Sequence, residues 1–212
     1  MNPILAFVDI ILHLDLYLGY IIDQFGVWAY LVLFAIIFCE TGLVITPFLP
    51  GDSLIFVAGV FAASGSFNLG LVFLTLAGAA ILGDSVNYFL GHHFGKRVLK
   101  QEKIKFIKKE HIAETQDFYK KHGSKTVILA RFLPILRTFA PFVAGIAQMP
   151  YLIFLTYSVL GALVWVGLFV LIGYFFGNIP LVKENFSIAV MIIVVASLIP
   201  PFVEYLKHRR CK

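Results

Sequence analysis

Three long apolar stretches constrain this chain more than any other feature of its sequence. They run from Leu69 to Leu90, from Tyr151 to Phe176 and from Phe186 to Leu206. Each has the roughly 20 residues that a helix needs to cross the hydrocarbon core of a bilayer. Because 60% of the 212 residues are hydrophobic and only 14% are charged, a soluble domain would have too little polar surface. The sequence therefore predicts an all-α integral membrane protein.

The basic residues indicate how the chain is oriented in the membrane. Of the 17 Lys and Arg residues, ten lie between residues 96 and 125, and four more follow residue 206. Basic residues concentrate on the cytoplasmic side of membrane proteins. We therefore expect the loop 96–125 and the C-terminal tail to be cytoplasmic.

Two further apolar stretches, Val27 to Ala63 and Thr126 to Met149, are interrupted by prolines near their centres. In the first, the arms on either side of the interruption are about 13 and 12 residues long, or roughly 20 Å each as helices. Such arms are too short for a core of about 30 Å. We interpret both stretches as re-entrant helical hairpins. The alternative for each is a single kinked crossing helix, since membrane helices tolerate proline.

Three short sequences recur in the same order, which indicates an internal repeat. Because the helix of the first copy ends at the basic loop and the hairpin of the second copy begins there, the predicted repeats are inverted, as in many transporters. The recurring pairs are Phe56-Val-Ala-Gly59 with Phe142-Val-Ala-Gly145, Phe73-Leu-Thr75 with Phe154-Leu-Thr156, and Gly91-x-x-Phe94-Gly95 with Gly173-x-x-Phe176-Gly177, at offsets of 86, 81 and 82.

The predicted organisation is one membrane domain, 1–212. Within the basic loop, Ile112, Phe118 and Tyr119 can form the apolar stripe of a surface helix that ends at Gly123, although a solvated loop is an alternative. The predicted parts are an interfacial helix at 1–25, repeat 1 (hairpin and transmembrane helix) at 26–95, the basic loop or surface helix at 96–122, repeat 2 (hairpin and transmembrane helix) at 123–178, and an additional C-terminal transmembrane helix with its basic tail at 179–212.

Five ionisable residues lie within the apolar segments: Glu40, Asp52, Asp84, Arg131 and Arg137. A charge at the centre of a lipid-facing helix costs about 2.5 to 3.5 kcal/mol on an insertion scale, so such residues are expected to face partners or water. The alternative is that they reach the membrane surface, which applies most to Asp84 near a helix end. Glu40 and Asp52 flank the first interruption, and the two arginines flank the second.

This arrangement predicts an anion site with a coupled proton. Opposed at the middle of the membrane, Glu40 and Asp52 would neutralise Arg131 and Arg137. The planar arginine fork suits phosphate oxygens, and nearby half-helix N-termini would add positive potential. Arg131 and Arg137, with Pro134 between them, are the predicted substrate-binding residues. An anion that takes over an arginine leaves its carboxylate desolvated, and that carboxylate then binds a proton more readily. Glu40 and Asp52 are the predicted coupling groups, with Asp84 as a further candidate.

Several motifs together resemble the DedA family of membrane proteins over nearly the whole chain. The resemblance implies a bacterial inner-membrane protein with two re-entrant hairpins, which takes part in lipid-carrier recycling as a translocase of undecaprenyl phosphate or phospholipid driven by the proton motive force. The family's important acids and arginines fall on Glu40, Asp52, Arg131 and Arg137. The motifs are Glu40-Thr-Gly42, Pro47-Phe-Leu-Pro-Gly-Asp-Ser53, Gly83-Asp-Ser-Val-Asn-Tyr88 and Ala130-Arg-Phe-Leu-Pro134-x-x-Arg137-Thr138-x-x-Pro141-x-x-Ala144-Gly145.

We therefore expect a proton-coupled translocase of a phosphate-bearing lipid, with a transporter of a small ion or solute as the alternative. An intramembrane phosphatase is disfavoured because His92 and His93 lie at a helix end. A scaffold would leave the buried charges unexplained. The distant Cys39 and Cys211 predict neither a disulfide nor a metal site. No cofactor and no nucleic-acid partner are expected, and a homo-oligomer stays open.

Overall fold

The computed structural model describes residues 26–42, 51–100, 109–180 and 182. Within these ranges the chain forms helices and no strand, so the predicted all-helical fold is confirmed. The α-helices are α1 (Val27–Gly42), α2 (Gly51–Ala63), α3 (Leu69–Lys100), α4 (Lys109–His122), α5 (Thr126–Leu129), α6 (Pro134–Ile146) and α7 (Tyr151–Gly177).

Helices α3 and α7 are long and apolar enough to cross a membrane. The apolar part of α3, Leu69–Phe94, has 26 residues, and α7 has 27. Both lengths correspond to about 40 Å of helix, more than the hydrocarbon core requires. They coincide with two of the three predicted transmembrane segments. The third, at 186–206, and the interfacial helix at 1–25 lie outside the described residues.

Both proline-rich stretches contain separate helices. Helices α1 and α2 have 16 and 13 residues, or about 24 and 20 Å, and the interruption between them lies outside the described residues. In the second stretch, Leu133 is extended, with φ −113° and ψ 108°, and α6 begins at Pro134. Proline is accommodated there because the first helical residue needs no N–H partner. The prolines thus predicted the helix end at Leu133, while the re-entrant path of either hairpin stays a prediction.

The basic loop contains the predicted surface helix, α4. The helix ends before Gly123, whose φ of +59° is the left-handed conformation that commonly follows a helix end. Phe118 and Tyr119 are half-buried, and the Tyr119 hydroxyl donates a hydrogen bond to the carbonyl oxygen of Ala140 at 3.1 Å. Helix α4 therefore packs on α6, which excludes the solvated-loop alternative for this segment. The side chain of Ile112 lies outside those described.

The chain divides into two compact units, and each draws on both predicted repeats. Among the described residues, the first unit comprises 26–32, 51–73, 168–180 and 182, and the second comprises 33–42, 74–100 and 109–167. Helices α1, α3 and α7 each contribute to both units. Within each unit, a helix from one repeat crosses a long helix from the other.

In the second unit, α3 and α6 cross at two glycines. A Cβ atom on Gly91 would overlap the carbonyl oxygen of Phe142, and one on Gly145 would overlap that of Tyr88. The Cβ on Gly145 would also lie 2.7 Å from the backbone nitrogen of His92. Glycine at such a crossing lets the two backbones approach closely, as is common between membrane helices.

In the first unit, α2 and α7 cross in the same way. A Cβ atom on Gly173 would overlap the carbonyl oxygen of Phe56, and one on Gly59 would overlap that of Val170. The Cβ on Gly59 would lie 3.1 Å from the backbone nitrogen of Tyr174. Each residue of this crossing is offset from its counterpart in the other by the 86 or 82 residues that separate the recurring sequences. The two crossings thus make corresponding contacts with corresponding residues.

Candidate functional site: a buried charge cluster

Four charged side chains within the apolar helices are buried together in the second unit. Glu40 lies near the end of α1, Asp84 lies within α3, Arg131 lies in a 3-10 turn at Ala130–Phe132, and Arg137 lies in the first turn of α6. Their relative exposures are 1%, 2%, 4% and 8%. Ions removed this far from water are stable only when they are paired and hydrogen-bonded.

The four residues form two ion pairs. Nη2 of Arg137 lies 2.5 Å from Oε1 of Glu40, and Nη2 of Arg131 is paired with Oδ2 of Asp84. Two positive and two negative charges make this cluster, which we call the charge cluster, electrically neutral. Removal of either partner of a pair would leave an uncompensated buried charge.

A buried asparagine fixes the backbone on both sides of the Glu40–Arg137 pair. The side-chain nitrogen of Asn87 in α3 donates to the carbonyl oxygen of Thr41 at 3.1 Å and to that of Thr138 at 2.8 Å. Thr41 follows Glu40 in the sequence, and Thr138 follows Arg137. Asn87 therefore links the end of α1 and the first half of α6 to α3, which positions both members of the ion pair.

Helix α7 provides a serine and a glycine beside the Arg131–Asp84 pair. The Ser158 hydroxyl donates to Oδ2 of Asp84 at 2.6 Å, and its oxygen lies 3.4 Å from Nη2 of Arg131. A Cβ atom on Gly161 would lie 3.0 Å from Cδ of Arg131. The absence of a side chain at Gly161 thus leaves room for the arginine.

One turn further along α7, Trp165 lies beside both arginines. Its ring centre is 5.8 Å from Cζ of Arg131 and 4.9 Å from Cζ of Arg137, and its side chain is almost fully buried. A guanidinium within about 6 Å of an indole ring is attracted by the electron density of that ring. Trp165 therefore helps to hold the two arginines near each other.

Arg131 has hydrogen-bonding capacity that the described residues leave unused. Its Nε and Nη1 atoms are buried and have no hydrogen-bond partner among them. A guanidinium carries five N–H donors, and Asp84 and Ser158 interact with Nη2. Nε and Nη1 of Arg131 can therefore donate hydrogen bonds to a further anionic or polar oxygen while the ion pair with Asp84 remains intact.

The structure brings Glu40, Arg131 and Arg137 together, as the sequence predicted, and adds Asp84 to them. Asp84 is paired with Arg131, so the alternative in which Asp84 reaches the membrane surface is excluded. Within the second unit Asp84 pairs with Arg131 and Glu40 with Arg137, and the neutralising role predicted for Asp52 stays a prediction. Asp52 lies half-buried in the first turn of α2, which belongs to the other compact unit, and its part in proton coupling stays a prediction. Pro134 begins α6 between the two arginines.

Sequence reasoning did not identify Ser158, Gly161 and Trp165, although their spacing carries a signal. They follow one another at intervals of three and four residues, which places them on one face of a helix. A small polar residue, a glycine and a tryptophan on one face of an otherwise apolar span are typical of a face that contacts protein rather than lipid. Asn87 could have been identified from the sequence, because a polar amide in an apolar helix is costly to bury unless it is hydrogen-bonded.

Comparison with known proteins assigns the chain to a family. The VTT domain matches residues 49–175. The protein DedA of Escherichia coli (strain K12) is 48% identical over 99% of this chain and 97% of its own length. An uncharacterized membrane protein of Mycobacterium leprae (strain TN) is 39% identical over 79% of this chain and 75% of its own.

A further relative carries a location in its name. The inner membrane protein YqjA of Escherichia coli (strain K12) is 32% identical over 71% of this chain and 69% of its own length. No solved structure matches the chain. The VTT-domain match and the near full-length similarity to DedA show that this chain is a membrane protein of the DedA family.

Proposed function

We propose that the chain is a transporter of the bacterial inner membrane that moves a phosphate-bearing lipid, such as undecaprenyl phosphate or a phospholipid, between leaflets at the expense of the proton motive force. The observation that supports this most is the charge cluster, in which two arginines are buried among apolar helices. Ionisable residues at such positions are expensive and generally serve a substrate or ion pathway.

The arginines have the chemistry to bind a lipid phosphate. Arginine stays charged at all relevant pH values, and its planar fork matches two phosphate oxygens at once. Arg131 and Arg137 lie beside one indole ring, and Arg131 retains donors that the described residues do not use. A phosphate headgroup could engage those donors first and then displace a carboxylate.

Charge balance supports proton coupling at the same cluster. The four charges sum to zero, and an arriving phosphate adds one or two negative charges. Uptake of a proton by a displaced carboxylate would cost less than leaving that excess in a desolvated surrounding. Glu40 and Asp84 are the candidates within the charge cluster, and Asp52 is the candidate that the sequence adds.

The two glycine crossings support the proposed inverted repeat. Each joins the second helix of one proposed hairpin, α2 or α6, to the long helix of the opposite repeat, and corresponding residues make the contacts. We further propose that the basic loop 96–125 and the C-terminal tail face the cytoplasm, on the charge distribution. In inverted-repeat transporters, substrate sites lie where broken helices meet.

Leaflet-resolved transport in proteoliposomes tests this proposal. The assay follows undecaprenyl phosphate on each leaflet with a membrane-impermeant reagent, with and without an imposed pH gradient. The protein should accelerate exchange between leaflets, and the gradient should bias it. Exchange equal to that of protein-free vesicles would contradict the proposal. Gradient-driven flux of inorganic phosphate without lipid exchange would favour the alternative, a small-solute transporter, and loss of both would favour a scaffold.

A further inference from the structure

We propose that Asp84 is the acid that takes up the proton when a phosphate binds, and that Ser158 is its positioning residue, with a hydroxyl that reverses its hydrogen bond as Asp84 is protonated. This inference rests on the proposed function and names the coupling groups within it. Three elements meet at this site: the turn that contains Arg131, helix α3 with Asp84, and helix α7 with Ser158.

Two hydrogen bonds converge on one carboxylate oxygen of Asp84. Oδ2 of Asp84 accepts a hydrogen bond from Arg131 and another from the Ser158 hydroxyl, the latter at 2.6 Å. Asp84 and Ser158 are almost fully buried. In this arrangement both donors stabilise the charged carboxylate of Asp84 against the cost of its burial.

A phosphate bound at Arg131 would change the hydrogen bonds that Asp84 receives. Phosphate oxygens that accept hydrogen bonds from Nε and Nη1 of Arg131, and then from Nη2, leave Asp84 with Ser158 as its donor. One proton from the aqueous phase then adds to a carboxylate oxygen of Asp84, and no other covalent bond is made or broken. Protonation removes a negative charge that would otherwise face the phosphate across a desolvated space.

Ser158 contributes a hydroxyl, a group that can act both as a hydrogen-bond donor and as an acceptor. A serine hydroxyl can donate one hydrogen bond and accept two. Ser158 donates to the ionised acid, and after a rotation about its C–O bond it can accept from the protonated acid. Its oxygen already accepts a hydrogen bond from Nη2 of Arg131 at 3.4 Å while the hydroxyl donates to Asp84. One side chain thus serves both protonation states.

The other charged and titratable groups around Asp84 are consistent with this assignment. Arg131 and Arg137 act on it with positive charge, and Glu40 is paired with Arg137. Tyr119 of α4 is within electrostatic reach of Asp84, and burial, aided by the charge of Asp84, raises the pKa of Tyr119 well above its usual range. Tyr119 therefore stays protonated, and the arginines are the groups whose neutralisation by a phosphate would favour a proton on Asp84.

The test measures proton uptake and phosphate binding separately. Dodecyl phosphate is added to the purified full-length protein in a weakly buffered detergent solution. A pH-sensitive dye reports proton uptake, and calorimetry reports binding. The parent should take up protons in proportion to the phosphate bound. Asp84→Asn, which imitates the protonated acid, should still bind the phosphate but lose most of that uptake.

Serine variants keep the proposal testable if Asp84→Asn fails to fold. Ser158→Ala should bind the phosphate and take up less than half of the parent's protons, whereas Ser158→Thr, which retains a hydroxyl, should behave like the parent. Ser85→Ala is the matched control, because Ser85 follows Asp84 in α3 but its hydroxyl donates to the carbonyl oxygen of Ile81 at 2.8 Å. It should leave proton uptake unchanged.

Two results would overturn the inference in distinguishable ways. If Asp84→Asn and Ser158→Ala bind the phosphate with the parent's proton uptake, Asp84 is not the acceptor. The proposed function would then stand with Glu40 or Asp52 in that role. If the parent itself binds no dodecyl phosphate, the inference fails together with the proposed function.

Discussion

The two glycine crossings have the same backbone packing but very different surroundings. Helices α3 and α6 cross at Gly91 and Gly145, and helices α2 and α7 cross at Gly59 and Gly173, with corresponding contacts. Among the described residues, every buried polar or charged side chain lies in the unit of the first crossing. The described buried side chains of the other unit are apolar.

This difference separates the packing of the fold from the chemistry of the site. Close helix contact depends on residues without a side chain, which recur in both halves of the sequence. The charge cluster depends on side chains that do not recur. None of the recurring sequences contains Glu40, Asp84, Arg131 or Arg137. Substitutions at the crossings should therefore act on stability in both units, and substitutions of the charged residues should act on the second unit.

The largest expected effect is a loss of folding when a crossing glycine gains a side chain. Gly91→Ala and Gly173→Ala each place a methyl group against a backbone carbonyl oxygen, which cannot move as a flexible side chain can. Ordinary core overpacking costs about 1 to 3 kcal/mol, and because the added methyl group would overlap backbone atoms, the cost here should be well above that range and prevent folding. Both variants should give much less folded protein by fluorescence-detected size-exclusion chromatography, and equally so if the crossings are equivalent.

Gly78→Ala is the control for this experiment. Gly78 lies in α3, as Gly91 does, but a Cβ atom there would meet no atom of the described residues within 4 Å. Alanine is a better helix former than glycine by about 1 kcal/mol, so this variant should be at least as stable as the parent. A loss at Gly91 without a loss at Gly173 would show that the two crossings are energetically different.

The next effect in size concerns the Glu40–Arg137 ion pair. Arg137→Ala leaves Glu40 as a buried charge without its arginine, which should destabilise the protein by about 3 to 5 kcal/mol. The double variant Glu40→Ala/Arg137→Ala removes both charges and should be more stable than Arg137→Ala alone. Thermal unfolding in detergent measures both changes.

The exposed pair between Lys120 and Asp117 is the comparison for the buried one. Its N–O distance is 2.8 Å, and its side chains are 77% and 72% exposed. Because solvent screens such pairs, Lys120→Ala should leave the unfolding temperature nearly unchanged. Two results would contradict a stabilising role of the buried ion pair. One is an unfolding temperature of Arg137→Ala as close to the parent's as that of Lys120→Ala. The other is a double variant that is no more stable than Arg137→Ala.

The sequence predicted the elements of this fold better than their contacts. Apolar length identified α3 and α7, proline at 134 predicted the end of the preceding helical segment, and Gly123 predicted the end of α4. These features depend on residues close together in the chain. Because burying a charge in an apolar segment is costly, the sequence also indicated that Glu40, Arg131 and Arg137 need charged or polar partners.

Which acid pairs with Arg131 could not be derived in the same way. Asp84 is 47 residues from Arg131, and Ser158 is 74 residues from Asp84, so their contact depends on how three elements pack. Hydrophobicity is nearly even around helix α7, so it does not mark a buried face, and only the spacing of Ser158, Gly161 and Trp165 does. Symmetry of charges about the two interruptions drew attention to Asp52, whereas the pairing of Asp84 with Arg131 depends on how α3 packs against the turn at Arg131.

The arginines of the charge cluster are proposed to bind a lipid phosphate through their planar fork, and Arg137→Lys tests this binding most directly. Lysine keeps the charge, so the protein should accumulate normally, but it cannot bind two oxygens in one plane. The leaflet exchange of undecaprenyl phosphate should fall at least tenfold in Arg137→Lys, which corresponds to about 1.4 kcal/mol, while exposed Lys120→Arg exchanges like the parent. Parent-level exchange in Arg137→Lys, with normal accumulation, would contradict the claim.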